Sequence, residues 1–204
     1  MKELLESLNS MDDDSEQWIR LIDATWVADE LKLKMSVDLR DDRPAALWDV
    51  TCSSVVEQSL CCTGAGGLAI LADSPLLKPF LEPNVPIMFS ENTMAPETLL
   101  GIVCSCCTEV MGRSGGITSF MNGATTSGIC SSAYGLLGPF PELVARHILH
   151  SSKDKPIKPY VLEGHRPKRW NGFQQVDYET LSVLEFGRSY VIAERFSASR
   201  AQVP

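Results

Sequence analysis

The stretch Leu31-Lys32-Leu33-Lys34-Met35-Ser36-Val37-Asp38-Leu39 alternates apolar with polar residues over its whole length. Successive side chains of a β-strand point to opposite faces of the sheet, so a strand collects all the apolar side chains on one face. A helix would distribute the same side chains around its axis. The stretch therefore predicts a strand with one buried face and one open face that meets either water or a partner.

Strand-like segments flank this stretch on both sides. Residues 17–26 predict a strand that is covered on both sides for part of its length, because one face carries Trp18, Ile22, Ala24 and Trp26 and the other carries Ile19 and Leu21. The connection at residues 28–30 is short, so the first two strands form a hairpin. After a turn at residues 41–44, a third strand is expected at residues 46–52, extended by residues 55–60. The result is an N-terminal meander.

The rest of the chain mixes helices with strands. Helices are predicted at residues 95–111 and 141–150, each with proline in its first turn and glutamate near its start. Further expectations are a single helical turn within 74–81, strands at 85–89 and 117–121, a loop at 135–139, a polar connection from 151 through Trp170, and a C-terminal hairpin of 179–186 with 189–196. The predicted fold is α+β, with a mainly antiparallel sheet packed with two to three helices.

Length and composition predict one domain spanning residues 1–204, because 204 residues with 44% hydrophobic content can bury a sizeable core. Residues 1–15 are expected to be a loosely ordered segment, since Asp12, Asp13 and Asp14 interrupt its apolar residues. No apolar run is long enough to span a bilayer, and acidic residues occupy the start of the chain, so we expect a cytoplasmic protein. Seven cysteines, an odd number, fit a reducing compartment.

The net charge of −8 disfavours nucleic acid and anionic membranes as partners, because binding to phosphates depends on Lys and Arg. The expected partner is another protein. Charged segments beside rigid strands are the candidate contact sites, and the candidate residues are Lys32, Lys34, Asp38, Asp41, Asp42, Arg166, Arg169 and Trp170. Arg166 to Trp170 combine cations with an aromatic ring, a mixture that also suits nucleic acid, and a steep dependence of affinity on salt would distinguish that partner.

Residue patterns that carry chemistry are incomplete. Cys104, Cys106 and Cys107 lie in a predicted helix and point in divergent directions, so we expect no metal there. His147 and His150 share a helix face without the glutamate of a zinc-protease motif. The glycines at residues 64–67 match no phosphate-binding motif. We therefore expect no catalytic residue, cofactor or metal.

Three segments resemble small uncharacterised bacterial immunity proteins, which neutralise polymorphic toxins. They are Leu47-Trp48-Asp49-Val50-Thr51-Cys52-Ser53-Ser54-Val55-Val56-Glu57-Gln58, Ser74-Pro75-Leu76-Leu77 and Phe186-Gly187-Arg188-Ser189-Tyr190-Val191-Ile192-Ala193-Glu194-Arg195-Phe196. The resemblance implies a cytosolic protein that binds a toxin and blocks it. An acidic inhibitor would complement a basic, nuclease-like toxin.

The function that these observations favour is a non-enzymatic protein-interaction module, an immunity or antitoxin-like inhibitor. Two alternatives stay open. The first is an enzyme or redox sensor that uses Cys104, Cys106 or Cys107 as a reactive thiol, which requires an accessible thiol. The second is a structural subunit of a larger defence or regulatory assembly, which predicts an exposed apolar patch.

Overall fold

The structure is a computed structural model that describes residues 1–9, 18–38, 45–61, 64–112, 120–121, 126–170, 173–178 and 180–201. The fold is α+β and mainly antiparallel, as predicted. The chain divides into two compact units, with residues 78–178 inserted between the two parts of the first unit, residues 1–77 and 179–204. The expectation of one domain stays a prediction, and each unit is described by itself.

The first unit, unit 1, is built on a six-stranded antiparallel sheet with the strand order β1-β2-β3-β11-β10-β4. Its elements are α1 (Lys2–Asn9), β1 (Trp18–Val27), β2 (Glu30–Asp38), β3 (Ala46–Ser59), β4 (Leu68–Leu71), a 3-10 turn (Pro75–Leu77), β10 (Ser182–Phe186) and β11 (Ser189–Arg200). The meander and the C-terminal hairpin are confirmed, and β3 runs unbroken through its predicted extension. Strand β4 was not predicted from the sequence.

Strand β2 confirms the alternation from which its prediction was made. Leu31, Leu33, Met35 and Val37 are buried in the core of unit 1, whereas Lys32 and Lys34 on the opposite face are exposed. Leu33 lies beside Val50 of β3, and Leu31 lies beside Cys52, so the apolar faces of the two strands are in register. Leu39 lies outside the described residues.

Strand β1 departs from its prediction because it lies at the edge of the sheet. A β-bulge between Leu21 and Asp23 inserts Ile22 into the ladder and shifts the alternation by one residue. Ile19 is buried and Leu21 is half-buried, but the remaining residues of β1 are exposed. The expectation of a strand covered on both sides was therefore wrong.

The two edges of this sheet approach each other at one point. The backbone N–H and C=O of Ile19 in β1 exchange hydrogen bonds of 2.7 and 2.8 Å with Ala65, which precedes β4. Helix α1 contacts β4 and β11 and buries Leu4 completely. Residues 10–17 lie outside the described residues, so a loosely ordered segment at residues 1–15 stays a prediction.

The second unit, unit 2, has a three-stranded antiparallel sheet with the order β6-β5-β7, and a separate hairpin of β8 with β9. Its elements are α2 (Lys78–Leu81), β5 (Asn84–Ser90), α3 (Pro96–Met111), α4 (Thr126–Cys130), β6 (Gly135–Pro141), α5 (Glu142–Ser151), β7 (Lys158–Val161), β8 (Lys168–Trp170) and β9 (Gln175–Asp177). Helices α3 and α5 confirm their predictions, and α3 ends at Gly112 in the left-handed conformation.

Two predictions for unit 2 were wrong. Residues 135–139 form most of strand β6 rather than a loop, because they pair with β5 across a bulge. The expected connection from residue 151 through Trp170 contains strands β7 and β8. The strand expected at residues 117–121 falls mostly outside the described residues, although Phe120 and Met121 are described and are buried in the unit 2 core.

Candidate functional site

The residues predicted as an interaction loop, 166–170, lie at the start of a β-hairpin. Lys168, Arg169 and Trp170 form β8 and pair with Asp177, Val176 and Gln175 of β9, respectively. The expectation of a loop was therefore wrong for the second half of this segment. We call residues 166–177 the aromatic hairpin, of which residues 166–170 and 173–177 are described.

Two aromatic side chains of the aromatic hairpin face solvent. Trp170 is 65% exposed and Phe173 is 90% exposed. Single exposed apolar residues are common on protein surfaces, whereas two large exposed rings on one short hairpin are candidates for contact with a partner. Trp is among the residue types that most often dominate the binding energy of protein interfaces.

Cations flank these rings. Arg166 is exposed, and Lys168 reaches Asp177 across the hairpin at 4.0 Å between Nζ and Oδ1. Arg169 is half-buried. Exposed ion pairs stabilise a protein little, so Arg166 and Lys168 remain able to contact an acidic partner.

Sequence reasoning included Trp170 and missed Phe173. The sequence contains Asn171-Gly172, a dipeptide that is typical of turns and would have favoured a hairpin around these residues. Because Trp170 pairs with Gln175, Phe173 belongs to the connection between β8 and β9.

Lys32, Lys34 and Asp38 lie on the open face of the unit 1 sheet, as expected. The register places Lys34 between Asp23 of β1 and Asp49 of β3, and it places Lys32 between Thr25 and Thr51. This face mixes both signs of charge, and Asp38 is half-buried. Asp41 and Asp42 lie outside the described residues, so their role stays a prediction.

A polar cavity of about 490 Å³ opens at one end of this face. It is lined by Glu30, Ser53 and Arg195, and the Ser53 hydroxyl donates a hydrogen bond of 2.9 Å to Oε1 of Glu30. The cavity has polar groups of both charges, and the base beside the Ser53 hydroxyl is the Glu30 carboxylate. These groups can bind a polar molecule.

Unit 2 contains an apolar groove of about 430 Å³ between α5, β5 and the end of β7. Val85, Leu149 and Leu162 contribute apolar walls, and an ion pair between Glu142 and Arg146 lies at its rim. The groove is large enough for one apolar side chain of a partner.

Two of the three cysteines of α3 are poor candidates for a reactive thiol. Cys106 and Cys107 are buried, and burial raises the pKa of both thiols, that of Cys107 to about 12. A thiol with a raised pKa holds little thiolate at neutral pH and is a poor nucleophile. Cys104 is half-buried.

His147 of α5 lies beside a carboxylate of α3. His147 Nδ1 lies 3.3 Å from Oε2 of Glu109 on α3, which links the two helices at the surface. Across the described parts of the chain, no group of three or more His, Cys, Asp or Glu residues has a geometry that could hold a metal ion.

Comparisons with known proteins identify no relative. The chain matches no protein-family model, and neither curated proteins nor solved structures give a significant match. None of the helices in the described residues combines the length and apolar character that crossing a membrane requires.

Proposed function

We propose that this chain is a non-enzymatic protein-binding module that contacts its partner through the aromatic hairpin. The observation that carries the proposal is the exposure of Trp170 and Phe173, at 65% and 90%, on one two-stranded hairpin. Covering two such rings removes a large apolar area from water, which favours association. The flanking cations Arg166 and Lys168 would orient an acidic patch of the partner.

The specific form that we propose is an immunity-type inhibitor, as the sequence resemblance implies. Such a protein acts by covering the active surface of a toxin. A hairpin is narrow and held by backbone hydrogen bonds, so it can enter a concave active site with little loss of conformational entropy. One patch of the partner, the patch that contacts the hairpin, would be acidic. The net charge of −8 on this chain favours a partner whose remaining surface is basic.

The reactive-cysteine alternative loses support at Cys106 and Cys107, which are buried in the unit 2 core. It stays open at Cys104, which is half-buried. The assembly-subunit alternative gains support from the exposed apolar residues of β1, which include Ile22 and Trp26.

The test is co-expression of this chain with the product of each neighbouring gene, followed by a growth assay and co-purification. We expect one toxic neighbour to be neutralised and to co-purify in a stable complex. Replacing both aromatic residues, Trp170→Ala with Phe173→Ala, should weaken that complex by about thirtyfold or more, because hot-spot residues contribute about 2 kcal/mol or more.

The matched control is Tyr134→Ala, since Tyr134 is 77% exposed in unit 2 but lies outside the aromatic hairpin. It should bind like the unchanged protein. Loss of binding in both variants, or in neither, would argue against the hairpin as the contact surface. A chain that neutralises no neighbouring product would argue against the inhibitor function itself.

A further inference from the structure

Three polar side chains lie side by side across three strands of the unit 1 sheet. Glu30 of β2 pairs directly with Ser53 of β3, and Ser53 pairs directly with Arg195 of β11. Residues that pair directly in an antiparallel sheet place their side chains on the same face, and here this is the open face that also carries Lys32. The three side chains line the polar cavity of about 490 Å³. Small-molecule sites range from about 300 to about 1,000 Å³, so this cavity can hold a small ligand.

The two charged groups of the cavity do not neutralise each other. The Ser53 hydroxyl donates a hydrogen bond of 2.9 Å to Oε1 of Glu30, which holds that carboxylate beside β3. The guanidinium of Arg195 is exposed and forms no hydrogen bond or ion pair within the part of the chain that the structure describes. The cavity therefore presents a fixed carboxylate and a free guanidinium to any molecule that enters it.

The backbone of β3 is irregular immediately after Ser53. Ser54 has a φ of +56°, a left-handed value that residues other than glycine rarely adopt. A β-bulge follows, because Val56 is an extra residue of β3 opposite Ile192 and Ala193 of β11. Strained backbone and β-bulges are concentrated at functional sites, where they redirect side chains. Both irregularities adjoin the cavity, which favours a ligand site over an ordinary sheet surface.

We propose that this cavity binds a free α-amino acid, with the ammonium group of the ligand on Glu30 and its carboxylate on Arg195. The ammonium group is a donor only, and the Glu30 carboxylate and the Ser53 Oγ are neighbouring acceptors for it. The planar guanidinium can donate two parallel hydrogen bonds to a carboxylate. A ligand with a single charge would leave one charged group of the site desolvated and unpaired, which is costly.

The remaining lining residues favour recognition of the groups that all α-amino acids share. Ser197 contributes a second hydroxyl group to the lining. Phe196 also lines the cavity, but its side chain packs against the core of unit 1. Since the lining offers no other apolar side chain, the site should bind the α-ammonium and α-carboxylate groups rather than one type of apolar side chain.

The first test compares three matched ligands on the full chain by NMR titration. L-Alanine should bind and should shift the amide signals of Glu30, Ser53 and Arg195. L-Lactate has a hydroxyl group in place of the ammonium group, and L-alaninamide has a neutral amide in place of the carboxylate. Each should bind about tenfold or more weakly than L-alanine, because each loses one charge-assisted interaction. Absence of L-alanine binding, or equal affinity for all three ligands, would overturn the proposal without any change to the protein.

The second test assigns each charge of the ligand to one residue. Glu30→Gln keeps an acceptor for the Ser53 hydroxyl but removes the negative charge. It should raise the Kd of L-alanine about tenfold and leave the Kd of L-lactate nearly unchanged. Arg195→Gln should raise the Kd of L-alanine by a similar factor and leave that of L-alaninamide nearly unchanged. An equal loss for both ligands in either variant would overturn the assignment of the charges.

The matched control is Arg200→Gln, which removes the same charge from an exposed position of β11 that does not line the cavity. It should leave the Kd of L-alanine unchanged, and an effect as large as that of Arg195→Gln would overturn the proposal. Trp170→Ala with Phe173→Ala changes unit 2 and should not affect binding of L-alanine. Failure of the proposed protein binding and failure of this ligand site are therefore distinguishable.

Discussion

Gly138 occupies a position in β6 that no side chain can share. Its φ of +151° is one that other residues rarely adopt, and an added Cβ would lie 1.9 Å from the backbone oxygen of Phe120. Backbone atoms in a packed core cannot move away cheaply. We therefore expect Gly138→Ala to lower the free energy of unfolding by about 2–4 kcal/mol, measured by urea denaturation.

Gly101 provides the matched control. It is exposed within helix α3, and an added Cβ would have no atom within 4 Å. Gly101→Ala should raise the free energy of unfolding by about 0.5–1 kcal/mol, because alanine restricts the unfolded chain and favours the helix. Equal effects of the two substitutions would contradict the contrast between these positions.

Two buried thiols should make the free energy of unfolding depend on pH in alkaline solution. Burial raises the pKa of Cys52 in unit 1 and of Cys107 in unit 2 from 9.0 to about 12. At pH values below 9.0 both thiols are protonated in the folded chain and in the unfolded chain, so they do not make the free energy of unfolding depend on pH. Above that pH the unfolded chain loses these protons first, so stability should fall as pH rises towards about 12.

The measurement is the free energy of unfolding at several pH values between about 8 and about 11. Cys52→Ala and Cys107→Ala should each reduce the slope in this range, although both lower the stability at neutral pH by leaving a small cavity. An unchanged slope in both variants would show that these thiols do not carry the pH dependence.

At the scale of the element, β1 and β2 show where sequence patterns succeed and fail. The strict alternation in β2 was enough to predict which residues are buried and which are exposed. A shift of one residue in its pairing would have exposed Leu31, Leu33 and Met35. In β1 the inserted Ile22 changes the phase of the alternation. The bulge arises from pairing with β2 and has no signature within β1, so the sequence predicted a covered strand where an exposed edge lies.

The strands of unit 2 were harder to predict than its helices. Helix α3 carries its own signals, with Pro96 at its start and Gly112 as its left-handed cap. Strand β6 contains Gly135, Gly138, Pro139 and Pro141, which locally favour loops. It is a strand because β5 lies beside it, and that information resides in distant residues.

The candidate contact surfaces were predicted only in part, because exposure also depends on residues that are distant in the sequence. Lys32 and Lys34 followed from alternation, and Trp170 followed from its charged neighbours in sequence. Phe173 belongs to the connection of a hairpin, β8 with β9, that was not predicted, and the exposure of Trp26 depends on β1 being an edge. Exposure at an edge is a property of the assembled sheet, so local patterns do not reveal it.

At the scale of the whole molecule, the two units hold separate apolar cores. The core of unit 2 includes Ile87, Val103, Phe140 and Ile148, all of which lie within residues 78–178. The core of unit 1 draws its buried residues from both ends of the chain. A segment with a complete core and enough length to bury it has the requirements of an independently folding domain.

We therefore expect residues 78–178, expressed alone, to fold cooperatively, as measured by near-ultraviolet circular dichroism and thermal unfolding. The control is the same fragment with Phe140→Ala, because Phe140 is completely buried and its truncation should cost about 3–5 kcal/mol. A lower melting temperature in this variant would show that the transition reports the unit 2 core. A fragment without a cooperative transition would instead favour one domain across residues 1–204, since the core of unit 2 would then depend on the rest of the chain.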